Sequence, residues 1–155
     1  IFFEPKRRYY TRGHVAQTPT LGLHQARIAR SGEEVTLICY GPMVDTCLEA
    51  AKEASQEGRK LEVIDVRSLS PLDMATVYES VRRTTRAIVV QEAPRTQGVG
   101  AEIAARLGEE LYYVMEAPVL RVTGWSTPYP PAKAEGEHIP DVDRIRDAVD
   151  RSLAF

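Results

Sequence analysis

The chain has 155 residues, 43% hydrophobic and 27% charged, with a formal net charge of −2. That length suits one domain burying roughly 70% of its unfolded surface, and the near-neutral charge gives no sign of the basic face that nucleic-acid binding needs, so no nucleic-acid partner is expected. No apolar run approaches the roughly 20 residues that span a bilayer, and no secretory leader pattern is visible, so a cytoplasmic setting without membrane contact is expected.

Residues 1–24 carry no helical period: an apolar Ile1-Phe2-Phe3, a basic group (Lys6, Arg7, Arg8, Arg12), then Gly, Pro and Thr. This reads as a linker whose basic group is solvated, ahead of a domain over 25–155. The opening, without methionine and strand-like, is expected to be a cut end inside a larger protein. His14 and His24 lie far from any Cys or carboxylate cluster, so neither is expected to act as ligand or base.

Within the domain, Gln25 to Arg30 suggests a short strand, and Val35 to Tyr40 a buried one stopped by Gly41-Pro42. Val44, Cys47, Leu48, Ala51 and Ala54 recur at helical spacing, which predicts a helix from Met43 to Gln56. Leu61 to Val66 is the next strand. Asp73 caps a helix with Met74, Val77, Tyr78 and Val81 inward.

The consecutive β-branched Ile88, Val89 and Val90 suit a parallel strand covered on both faces, ended by Pro94. Gly98 and Gly100 then turn the backbone into a helix from Ala101 to about Glu110. Val119 to Thr123 is the last strand, a Pro-rich excursion fills 124–140, and Asp141 caps a terminal helix with Val142, Ile145, Val149 and Leu153 inward. Alternating strands and helices require a largely parallel sheet with helices on both faces. A crevice is expected where the winding reverses, lined by Tyr40, Gly41 and Pro42 after one strand and Glu92 to Gly98 after another. Free N–H groups at the helix start, with Arg95 nearby, would suit an anion or carboxylate.

The search for chemistry finds no catalytic, cofactor-binding or metal site. Gly98-x-Gly100 lacks the third glycine of a dinucleotide fingerprint, and Pro94 interrupts its loop. Tyr40-Gly41 stands where a receiver domain would need paired acids. Ser126 and Thr127 have no nucleophile motif, Ser68 and Ser70 read as turn residues, and His138 reads as a loop residue held by backbone. Cys39 and Cys47 have no metal spacing and are expected to be reduced core residues. No Gly-Asp-Gly with a following Asn pair, the magnesium-diphosphate clamp, is present.

Four blocks then carry a resemblance: Ile1 to Lys6; Glu62 to Asp73; Glu92-Ala93-Pro94-Arg95-Thr96 with Gly98 and Ala101-Glu102-Ile103; and Glu116-Ala117-Pro118 with Val122-Thr123-Gly124, Thr127-Pro128 and Ile139-Pro140-Asp141. The sequence resembles the C-terminal domain of transketolase-like thiamine enzymes, in the version found in the beta subunit of branched-chain 2-oxo acid (2-oxoisovalerate) dehydrogenase. Gln91, Gln97 and Ser126 stand where that family often has His, Gly and Asp; the first is expected to alter a polar contact across a subunit boundary.

The resemblance implies a three-layer α/β/α sandwich with five strands ordered 1-3-2-4-5, mostly parallel, the first an antiparallel edge strand. It implies that residues 1–24 are linker and remnant of a pyrimidine-binding domain. Thiamine diphosphate and magnesium would be held by the parent enzyme outside this chain. The domain would serve assembly with an alpha subunit and a second beta subunit, using an anion or interface loop of Tyr40, Gly41, Gln91, Glu92, Arg95, Gly98 and Gly100. Apolar Phe2, Phe3, Trp125 and Tyr129 would be covered by the second beta subunit. Carboxylates gathered at the chain end, with Asp147, Asp150 and the terminus at Phe155 foremost, would dock the basic peripheral subunit-binding domain of the dihydrolipoyl acyltransferase. A pyruvate dehydrogenase parent and a free-standing anion- or metabolite-binding regulator stay open as alternatives.

Overall fold

The computed structural model describes residues 1, 3–13 and 21–155; Phe2 and His14, named in the expectations above, lie outside the described residues. Five strands form one sheet: β1 (Arg27–Arg30), β2 (Val35–Cys39), β3 (Leu61–Asp65), β4 (Ala87–Pro94) and β5 (Leu120–Gly124), in the order β1-β3-β2-β4-β5. β1 runs antiparallel to β3, and every other pairing is parallel. Each residue of β2 is fully buried, as a central strand between two helical layers requires.

Side chains alternate across the pleat and so build two cores. Leu37 and Cys39 pack with α1 (Met43–Gln56) and α5 (Val142–Leu153). Ile38 packs on the other face with α2 (Met74–Thr84) and α3 (Val99–Leu111). The result is the expected α/β/α sandwich, with the winding reversed between β2 and β4.

Caps follow the sequence. The Asp73 carboxylate accepts from the Thr76 N–H at 3.2 Å, and Asp141 accepts from the Arg144 N–H at 2.8 Å. Two close approaches also shape the chain. Gly41 has φ +57°, which lets the backbone leave β2 sharply into α1. Gly32, in the β1–β2 turn, crosses the start of β3 so tightly that a Cβ there would lie 2.2 Å from the Glu62 nitrogen.

Several details differ from the sequence reading. β1 begins at Arg27 rather than Gln25, and β5 at Leu120 rather than Val119. α3 starts at Val99 because Gly98, extended at φ −76° and ψ 155°, already serves as its cap. The Pro-rich excursion holds a 3-10 turn, Ala132–Ala134, and a one-turn helix, α4 (Glu135–His138). The basic group is not uniformly solvated: Arg8 pairs with Asp45 at 2.6 Å and donates to the Pro42 carbonyl, fastening the linker to the start of α1. One buried acid was not singled out from the sequence. Glu62 on β3 is fully buried, bonded to the half-exposed Arg83 at 2.7 Å and facing Thr36, whose hydroxyl meets that of Thr84 at 2.7 Å.

Candidate functional site

The carboxyl ends of β2 and β4 lie side by side, and Gln91 organises them. Its side chain is fully buried; its Oε1 accepts from the Gly100 N–H at 2.7 Å, and its Nε2 donates to the Pro94 carbonyl at 2.9 Å and the Ala93 carbonyl at 3.3 Å. Tyr40 reaches the same Oε1 with its hydroxyl at 3.4 Å, so the two strand ends are joined. Burial raises the Tyr40 phenol above its ordinary 10.0 and keeps it protonated. Gly98 and Gly100 are where they are because of this amide: a Cβ on Gly98 would lie 2.0 Å from Gln91 Nε2, and one on Gly100 2.7 Å from Oε1.

Gln91 is thus bonded within its own chain. Its amide braces the β4–α3 loop. The helix start is also partly occupied: the Gly100 N–H is bonded to Gln91 and the Ala101 N–H to the Gly98 carbonyl at 2.9 Å.

Arg95 does not join Tyr40 and Gly41. It lines a groove of about 510 Å³ on the outer side of β5, together with Arg121, Trp125, Asp147 and Arg151. Arg121 Nη1 donates to the Arg95 carbonyl at 3.1 Å, tying the loop to the last strand. Arg144, on α5, donates to the Thr123 carbonyl and stacks 4.4 Å over the Trp125 ring. The sequence reading singled out none of Arg121, Arg144 and Arg151. The position of Arg121 in β5, beside the turn carrying the sole tryptophan, was the available signal.

The three docking residues are spread along α5 and beyond it. Asp147 pairs with Arg151 at 3.7 Å, Asp150 pairs with Arg59 at 2.9 Å, and Phe155 is exposed at the end. Of the apolar group, Phe3, Trp125 and Tyr129 are exposed. Trp125 donates its Nε1–H to the Glu137 carbonyl at 2.9 Å, and Tyr129 sits edge-on to His138 with centroids 5.2 Å apart. His138 is buried under that ring, against Gly124. His24 meets the Ser68 hydroxyl at 3.2 Å.

Cys39 and Cys47 are free and buried. A hydrogen bond with Cys47, and then burial, push the Cys39 thiol well above its ordinary value, which suppresses thiolate chemistry. Among the described residues no group of three or more His, Cys, Asp or Glu is placed to hold a metal ion. No helix among the described residues is long and apolar enough to cross a membrane.

With this geometry in hand, comparison with known families matches residues 24–145 to the one described as "Transketolase, C-terminal domain". The chain belongs to that family. It is 52% identical over 157 residues to the "Pyruvate dehydrogenase E1 component subunit beta" of Leifsonia xyli subsp. xyli, covering 100% of this chain and 46% of the relative. It is 48% identical over 155 residues to the "3-methyl-2-oxobutanoate dehydrogenase subunit beta" of Mycobacterium tuberculosis, covering 99% of this chain and 44% of that one. The chain thus spans less than half the length of these relatives. A solved "Split gene transketolase, inactive beta4 tetramer" superposes with a TM-score of 0.77 at 27% identity, over 90% of this chain and 45% of that one. A 2-oxoglutarate:ferredoxin oxidoreductase from Magnetococcus marinus shares the fold, with a TM-score of 0.53 at 16% identity, over 83% of this chain and 19% of that one.

Proposed function

We propose that this transketolase C-terminal domain is the noncatalytic assembly end of the beta subunit of a thiamine-diphosphate-dependent 2-oxo acid dehydrogenase. The observation that carries the reading is whole-chain identity of 52% and 48% to beta subunits of two such dehydrogenases. In this proposal residues 1–24 link to a preceding pyrimidine-binding domain. Cofactor and magnesium are held by other parts of the enzyme. The parent, in the cytoplasm, decarboxylates a 2-oxo acid and acylates a lipoyl group.

The Phe-Phe-Glu-Pro-Lys opening supports a branched-chain parent, and the relative at 52% identity supports pyruvate as the alternative substrate. Partners in the proposal are an alpha subunit, a second beta subunit and the acyltransferase's peripheral subunit-binding domain. Docking of that last, basic module would require Asp147 and Asp150 to exchange Arg151 and Arg59 for partner cations.

The test is co-expression with an alpha subunit. Co-purification of a defined oligomer, and thiamine-dependent turnover of 2-oxoisovalerate or pyruvate only when the beta subunit's N-terminal half is supplied, is the expected result. Turnover by the 155-residue chain alone, or a cofactor held stoichiometrically within it, overturns the reading.

A further inference from the structure

The sheet ends at β5, which pairs with β4 and with no further strand among the described residues. The Thr123 carbonyl accepts from Arg144, so it faces away from β4. Strand alternation turns the backbone N–H and carbonyl of Arg121 the same way. Among the described residues no backbone bond beyond the sheet ladder engages Arg121. An edge of this kind is a template for another strand.

Beside it runs the groove of about 510 Å³, with Leu120, Arg121 and Val122 along one wall and Asp143, Asp147 and Arg151 of α5 along the other. Residues spaced four apart on one helix face span eight residues here, about 12 Å at the helical rise. That length holds roughly four extended residues. An edge strand facing a helix across such a gap is the geometry of strand addition by a peptide.

The two faces of the edge differ in chemistry. Val122 lies in the core with α1 and α5, and Leu120 packs against it. Val89, in register with Arg121, lies in the opposite core. An added strand would therefore alternate between a side meeting Leu120, Val122 and Ala148, rimmed by Asp143, Asp147 and Arg151 of α5, and a side carrying Arg121 and Arg95. Arg95 is exposed, and its guanidinium has no partner among the described residues. Four guanidinium groups and two carboxylates line the groove. Arg144 is committed to Thr123 and Trp125, Arg151 to Asp147, and one Arg121 nitrogen to the Arg95 carbonyl, which leaves the Arg95 guanidinium and the remaining N–H groups of Arg121 to meet a ligand.

We infer that the free edge of β5 takes an extended peptide of alternating acidic and apolar residues as a sixth strand, its carboxylates facing Arg95 and Arg121. The groove shares Arg95, Asp147 and Arg151 with the surfaces of the assembly reading, but capture of such a peptide is read on this chain without a parent enzyme.

Trp125, the only tryptophan, lies at the end of the groove and reports binding. Titrating the 155-residue chain with a capped Val-Glu-Val-Asp-Val peptide should change its fluorescence saturably and slow hydrogen exchange at the Arg121 amide. The same peptide N-methylated at alternate backbone nitrogens, and its Lys-for-acid counterpart, should each bind at least about tenfold more weakly. Arg95→Gln should weaken binding several-fold with an unchanged melting temperature, and adding Arg121→Gln should weaken it further. If the double variant unfolds, the exposed Arg95→Gln change alone decides. Absence of binding at millimolar peptide, equal binding of the N-methylated form, or displacement by inorganic phosphate at equal concentration would overturn the inference.

Discussion

Gln91 accepts from the Gly100 N–H at 2.7 Å and donates to the Pro94 carbonyl at 2.9 Å, so one buried amide holds both ends of the β4–α3 loop. Gln91→Leu keeps the volume but strands both backbone groups. The expected cost is about 2–4 kcal/mol in a urea melt, the sum of two unmade buried bonds. A loss within about 0.5 kcal/mol, the scale of an inert surface change, would show that the loop is held by something else.

The glycines of the same helix should separate sharply. Gly98→Ala and Gly100→Ala push a Cβ into Gln91, and for Gly98 also to 2.8 Å from the Pro94 carbonyl. Each should lower stability by about 1–3 kcal/mol. At Gly108, in the body of α3, a Cβ meets nothing within 4 Å. Gly108→Ala should therefore stabilise by about 0.5–1 kcal/mol through helix propensity. Thermal melts of the three variants give the comparison directly; a Gly108 variant no better than Gly98→Ala would contradict it.

Glu62 and Arg83 offer a cycle. The Glu62 side chain is 1% exposed and that of Arg83 47%, so the acid depends on a partner that sits at the surface. Arg83→Met leaves a buried carboxylate without its cation and should cost about 2–4 kcal/mol. Adding Glu62→Leu should recover most of that loss. If the double variant is as unstable as Arg83→Met, the pair is not the cause.

Asp73 sets an acid limit. Burial alone raises its carboxyl pKa, but hydrogen bonds from the Ala26 N–H and from the Thr76 hydroxyl and N–H outweigh this and hold it below the usual 3.8. A lowered folded-state pKa contributes stability fully above the unfolded value; that contribution drains as pH falls from 3.8 through the lower folded value. Asp73→Asn should cost about 0.5–2 kcal/mol at neutral pH, and its deficit against the parent should shrink below that window. A deficit constant with pH would assign the effect to shape rather than charge.

Much of this architecture is legible in the amino-acid sequence. The apolar run Val35 to Cys39 and the period from Met43 to Gln56 specify a central strand and its helix, because burial on fixed faces writes itself into spacing. Asp73 and Asp141 announced their helices through cap chemistry. Side-chain direction in loops was not legible. Nothing in the spacing of Gln91 says that it points inward, and nothing about Arg95 says that it turns toward β5 rather than Tyr40. Long flexible side chains choose among nearby partners that are remote in sequence, as Arg8 does with Asp45, and only the folded backbone brings those partners together.

Gly32 carries a consequence for how such chains can diverge. Because even a methyl group there would collide with the backbone of residues 60–62, β1 would have to be levered off β3 to admit any other amino acid. Chains that keep this antiparallel edge as closely packed as it is here are therefore expected to keep the smallest residue at that one place.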